Sequence, residues 1–165
     1  RFPDITLEYV TVLNTLGEFS SAISLLTALH DRGIYSKVSL AFYRDLAFKL
    51  DFFNESFATA HLLEQLFPDD INIKLNNIQL LINANKLNAA ESRLLELRKR
   101  FPNIPDIHLL YIRVLFMMKQ YEKVLLECNA SMAPPIDILP IKARTLMKLN
   151  RIPEAEQIYK MLNAK

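Results

Sequence analysis

Apolar and polar positions along the chain alternate on a helical period, broken at regular intervals by turn-forming residues. Between breaks, Leu75, Ile78, Leu81 and Ile82 share one side of a helix, and Leu87, Ala90, Leu94 and Leu97 share one side of the next. The breaks recur. Phe67-Pro68 and Phe101-Pro102 lie 34 residues apart, each followed by Asp or Asn. Fixed self-similarity of this length marks stacked helical pairs, so the chain divides into units starting at Pro3, Lys37, Ile71, Pro105 and Ile136.

Numbering each unit from its first residue aligns four columns. Column fifteen reads Gly17, Asp51, Asn85, Lys119 and Asn150, four of which tolerate a left-handed or turn backbone. Column seventeen is large and apolar: Phe19, Phe53, Leu87, Tyr121 and Ile152. Column twenty is small or medium: Ala22, Ser56, Ala90, Val124 and Ala155. Column twenty-seven reads Leu29, Leu63, Leu97, Ser131 and Leu162. Each unit is therefore expected to be two helices, with the column-twenty residue letting the second lie close against the first. Phe-Pro should end the second helix, because proline disfavours helical geometry at the residue before it. Asp69, Asp70 or Asn103 offers an N-cap for the next helix, and Gly33 does the stopping in the first unit. Pro140 and Pro153 are expected in first turns, where a missing N–H costs little.

This pattern resembles the tetratricopeptide repeat (TPR) family, whose 34-residue units carry a small residue at column twenty and proline at column thirty-two, as Pro68 and Pro102 do here. The resemblance implies an all-α, right-handed α-solenoid of about five helix–turn–helix repeats, spanning roughly 3–36, 37–70, 71–104, 105–135 and 136–165 as one domain. Column eight, usually Gly or Ala in the family, reads Val10, Arg44, Ile78, Ile112 and Ala143, so only the last unit keeps the family's small residue.

Charge and chemistry add little to this picture. The formal net charge is +2, which gives no basic surplus for nucleic acid. The single cysteine, Cys128, cannot form an internal disulfide and falls in a core-facing column with Leu26, Ala60, Leu94 and Tyr159. His30, His61 and His108 lie in different units with no i, i+4 partner for a metal. No phosphate loop or nucleophile elbow is present, so no catalytic residue, cofactor or metal is assigned and the chain is read as a non-enzyme. Arg98-Lys99-Arg100 ends a helix, where cations complement the dipole, and is read as a solvated helix end. No apolar run is long enough to cross a membrane. The chain starts at Arg1, with Phe2-Pro3-Asp4 echoing the repeat-ending phrase. It is read as a piece of a longer protein, with uncapped ends through which a homodimer could form.

The TPR resemblance implies a concave groove lined by the first helix of each unit. Its expected binding residues are Phe42, Asp45 and Lys49 in unit two, Asn72, Asn76, Gln79 and Asn83 in unit three, Leu110, Arg113 and Met117 in unit four, and Arg144 in unit five. The four amides are spaced four, three and four, on one helix face, and can both donate to and accept from a peptide backbone. An apolar set of Phe42, Phe48, Ile82, Leu109, Leu110, Phe116 and Met117 is flanked by Arg113 and Arg144; about half of it is expected to be core. The family's carboxylate clamp for chaperone C-termini is not reproduced: Asn76 fits its middle element, but Asp106 and Leu110 contradict its last. The expected function is a protein-interaction scaffold that takes a partner peptide or helix. The resemblance places it in bacterial envelope assembly, secretion or polysaccharide export, as a cytoplasmic or periplasmic part of a larger protein. The alternatives are a structural spacer whose groove packs on its own chain, and an RNA-binding helical repeat.

Overall fold

A computed structural model describes residues 2–131 and 134–163, with the side chains of 2–4 and 135 outside the description. The described residues form ten α-helices: α1 (Phe2–Leu16), α2 (Phe19–His30), α3 (Lys37–Lys49), α4 (Phe53–Leu66), α5 (Ile71–Asn83), α6 (Leu87–Arg100), α7 (Pro105–Met117), α8 (Tyr121–Ala130), α9 (Pro135–Lys148) and α10 (Ile152–Asn163). No strand occurs among them. The fold class is thus all-α, built of helix–turn–helix repeats of the α-solenoid kind.

One turn chemistry joins the two helices of every repeat. Gly17, Asp51, Asn85, Lys119 and Asn150 all have φ between 56° and 80°. Each donates its N–H three residues back, as Asn85 does to the Ile82 carbonyl at 2.9 Å. The next residue donates five back, as Lys86 does to Leu81 at 2.8 Å, Gln120 to Leu115 at 3.0 Å and Arg151 to Leu146 at 2.9 Å. This pair of bonds is the Schellman motif, which satisfies the last carbonyls of a helix. The same residue then starts the second helix, its carbonyl accepting from the column-twenty N–H, as Glu18 does from Ala22 and Lys86 from Ala90. Gly33 (φ 72°) ends α2 in the same way, with Ile34 donating to Leu29 at 3.1 Å.

Column twenty is buried in every pair. Ala22, Ser56, Ala90 and Val124 are fully buried and Ala155 nearly so. The Ser56 hydroxyl is satisfied there by donating to the Arg44 carbonyl at 2.9 Å. Column eight, opposite it, is also buried in every repeat, Arg44 included.

The chain divides into two compact units, Arg1–Lys74 and Leu75–Lys165. In the first, Val10, Leu13, Ala22, Leu26 and Leu46 form the main core, with a smaller cluster of Leu40, Leu63 and Ile73. In the second, Ile78, Leu94, Ile107, Ile112, Leu115 and Val124 are the centre, and Ala143, Leu146, Ala155 and Ile158 hold the last helical pair.

The repeat-ending phrase behaves as expected at its aromatic. Phe67 and Phe101 are the residues after α4 and α6, and each packs half-buried on its unit's core. Asp70 caps α5, its Oδ1 accepting from Asn72 N at 2.9 Å and Ile73 N at 3.2 Å. Its other oxygen pairs with Lys37, and that bond, with the backbone N–H groups, holds the carboxyl below its ordinary value. Asn103 does not cap. Ile104 occupies that place on α7, without a side-chain bond, and Pro105 follows at the first helical position, where no N–H needs a partner. Pro140 also departs from expectation. α9 starts at Pro135, so Pro140 lies inside the helix. Lacking an N–H, it leaves the Ile136 carbonyl without its helical donor.

Candidate functional site

The expected groove residues fall in both units. In the first, Asp45 is exposed but its Oδ1 accepts from Arg44 Nε at 2.8 Å, the guanidinium being almost wholly buried. Lys49 Nζ donates to Asn14 Oδ1 at 2.9 Å and lies 4.5 Å from the centre of the Phe19 ring, so it ties α3 back to α1 and α2. Phe42 is half-buried against the first unit's core. Asn72 is exposed at the start of α5.

In the second unit Asn76, Gln79 and Asn83 are exposed along α5, with Gln79 Nε2 donating to Asn83 Oδ1 at 2.9 Å. Their neighbour Asn77 is buried, a polar core position the helical period did not single out. Of the expected apolar set, Ile82 is buried, Met117 is exposed, and Phe42, Phe48, Leu109, Leu110 and Phe116 are half-buried. A helix that packs against neighbours on two sides leaves its next columns half covered, which is why a division into core and surface does not describe them.

Three of the expected residues converge. Arg113, Met117 and Arg144 line an open cleft of ≈ 430 Å³ between α7 and α9, together with Phe116, Ile141 and Pro140. Ile136 and Asp137 complete its wall, and with Pro140 they were missed. Asp137 lies four residues before Ile141 and Pro140 four before Arg144, so helical spacing from those residues could have found them. Arg113 is exposed and makes no hydrogen bond or ion pair among the described residues. Among the described residues Arg144 Nε makes only a long bond, 3.4 Å, to the Pro140 carbonyl. Two weakly engaged guanidiniums beside an apolar floor can pair with a carboxylate while an apolar side chain is buried.

A second polar cluster ties helices together. Glu127 Oε2 accepts from His108 Nε2 at 2.6 Å and from Arg98 Nη2 at 3.0 Å. Arg98 also lies over the Tyr111 ring, 4.6 Å from its centre. Burial opposes ionisation of Glu127, but the bonds from His108 and Arg98 outweigh it and hold the carboxyl below its ordinary value. Arg98 is therefore part of the packing between α6, α7 and α8, whereas the sequence reading left it in solvent. The carboxylate that recruits it is 29 residues away and invisible to local pattern.

The Cys128 thiol is buried, which pushes its pKa up to about 11. So high a pKa leaves almost no thiolate at neutral pH, and the thiolate is the nucleophile. Among the described residues no cluster of three or more His, Cys, Asp or Glu could hold a metal. None of the described helices is long and apolar enough to cross a membrane.

No family model and no curated protein sequence matches the chain. Solved structures do. A tetratricopeptide repeat protein from Parabacteroides merdae superposes with a TM-score of 0.77 at 12% identity, over 98% of this chain and 64% of its own. PilW, described as a widely conserved type IV pilus biogenesis factor, gives 0.73 at 13% identity, over 97% and 76%. A TPR protein of Thermus thermophilus gives 0.64 at 17% identity, over 96% and 88%. The fold is TPR-like.

Proposed function

We infer from a tetratricopeptide-like fold with one open, arginine-flanked cleft that the chain is a protein-interaction scaffold, and that α7 and α9 hold a partner peptide between them. The observation that carries this reading is Arg113: an exposed cation with no hydrogen bond or ion pair among the described residues, lining a cleft together with Phe116, Met117 and Ile141. Arg, Met and aromatic side chains are favoured where proteins bind each other. The ligand is a segment with one apolar side chain for the floor and a carboxylate for the guanidiniums. Asp137, on the same wall, disfavours a uniformly acidic peptide. The exposed amides Asn76, Gln79 and Asn83 are a further surface for a peptide backbone.

The wider setting follows the resemblance: envelope assembly, secretion or polysaccharide export in a bacterium. PilW is described as acting in pilus biogenesis; extending that setting to this chain is part of the proposal. The test is selection from a random peptide library on the wild-type chain, then on Arg113→Glu and Arg144→Glu. Enrichment of apolar residues next to Asp or Glu, lost with either variant while circular dichroism is unchanged, supports the reading. Enrichment that both variants retain moves the site off this cleft, and no enrichment favours a structural spacer. Binding of single-stranded RNA that weakens with salt would support the nucleic-acid reading instead.

A further inference from the structure

The cleft between α7 and α9 carries charge of both signs, set apart along the helix. On α9 its lining includes Asp137, Pro140, Ile141 and Arg144. Spacings of three, one and three put these on one face, carboxylate first, apolar pair next, guanidinium last. α7 carries the same stripe in the same order: Asp106, Leu109, Leu110 and Arg113. Of that stripe Arg113 lines the cleft. α7 and α9 are each joined to α8 by a short connection, so both run antiparallel to α8 and parallel to one another. The two stripes therefore point the same way.

All four charged side chains are exposed. Asp106, Arg113 and Asp137 make no hydrogen bond or ion pair among the described residues, and Arg144 makes only its long bond to the Pro140 carbonyl. Each Asp lies in the first turn of its helix, where the dipole favours a carboxylate. That accounts for the charge and leaves the oxygens open to a donor. Beside Asp137 the Ile136 carbonyl adds a second acceptor, since Pro140 has no N–H to give it.

Spacing decides which conformation of ligand meets both signs. Asp137 and Arg144 are seven residues apart, a rise of about 10 Å in an α-helix. A strand presents side chains to one face at about 7 Å and then about 14 Å, so it straddles that interval. A helix reproduces it, with positions i and i+7 on one face and i+3 and i+4 between them.

We propose that the ligand of this cleft is an amphipathic helix of bipolar charge, with Asp or Glu seven residues from Lys or Arg and two apolar residues midway. This rests on the peptide-binding reading of the same cleft. The acidic side chain meets Arg113 and Arg144. The basic one meets Asp137 and the Ile136 carbonyl, and the apolar pair lies on Phe116, Met117 and Pro140.

The probes are three fluorescent, hydrocarbon-stapled helices of equal length, stapled because a short free helix is marginal in water. They carry Glu-x-x-Leu-Leu-x-x-Arg, the same with Gln in place of Arg, and the same with Glu in place of Arg. In anisotropy with the full chain the bipolar probe should bind saturably, about threefold tighter than the Gln probe, the scale of an exposed ion pair. The doubly acidic probe should be weakest. Asp137→Arg should invert this ranking, with circular dichroism unchanged. Glu156→Arg, the same change of charge at an exposed site on α10, should not. Equal binding of the bipolar and Gln probes, both lost with Arg113→Glu, overturns the bipolar helix and leaves the peptide-binding cleft standing. Failure of every stapled probe while linear peptides selected on the chain bind does the same, because the ligand is then extended. Bipolar binding indifferent to Arg113→Glu, or no binding of any peptide, overturns both. The stripe is its own complement between antiparallel copies, so sedimentation velocity without peptide tests the second copy: dimers dispersed by Asp137→Arg would assign the cleft to self-association and overturn the separate partner.

Discussion

Lys119 is the residue that most plainly pays for the architecture. It holds φ 60° in the turn between α7 and α8, where the other repeats place Gly, Asp or Asn. A β-carbon in the left-handed region costs about 1–2 kcal/mol, relieved by glycine and partly by asparagine. Lys119→Gly should therefore stabilise the chain by about 0.5–1 kcal/mol once the extra freedom of glycine in the unfolded state is deducted. In thermal denaturation that is a rise of about 2–3 °C; an unchanged or lower midpoint would mean the lysine side chain contributes something that the turn geometry does not reveal. Lys119 also limits pattern reading: the aligned column marks its turn, although the residue type argues against it.

Helices are governed here by their ends and by one proline. The Schellman turns are chain-local, and the second helix of each of the first four repeats starts without a side-chain cap, at Glu18, Phe52, Lys86 and Gln120. In α9 the internal Pro140 costs up to about 3 kcal/mol relative to alanine, less what its half-buried ring regains by packing. Pro140→Ala is expected to raise unfolding free energy by about 1 kcal/mol or more in urea titration, restoring the bond to the Ile136 carbonyl. Because both residues line the cleft, the same variant should lower affinity for a selected peptide; stability gained with affinity unchanged would detach the proline from binding. The helix-bridging Glu127 makes a pH prediction. Its folded pKa lies below its unfolded value, so its contribution is present above the ordinary carboxylate value of 4.5 and is lost as pH falls through the lower, folded one. Acid unfolding should begin at higher pH in Glu127→Gln, with a loss of about 1 kcal/mol at neutral pH, because the group is partly solvated and its pairs are screened. Coincident acid transitions in the two proteins would remove Glu127 from the account.

At the scale of the whole molecule, net charge and local charge part company. The chain is nearly neutral, at +2, yet Arg113 and Arg144 concentrate positive charge at one apolar cleft. A peptide held there should lose affinity with added salt, about two- to fivefold between 50 and 300 mM, as expected for a few exposed ion pairs. Arg113→Ala should remove most of that salt dependence. A salt-insensitive affinity in the wild type would show that the apolar floor acts alone.

The repeat length, the left-handed turn column, the small buried column twenty and the all-helical fold could be read from the sequence because each is a local demand repeated every turn or every repeat. Repetition averages out single exceptions such as Lys119 or Arg44. The amide row on α5 was legible for the same reason, being a one-helix pattern. Pairings over distance were not. That Lys49 spends its charge on Asn14 and the Phe19 ring, and Arg98 on Glu127, follows from which helices pack together, and nothing local encodes it. Nor could sequence decide which groove residues meet: Arg113 and Arg144 share a cleft because α7 and α9 lie side by side, 31 residues apart in the chain.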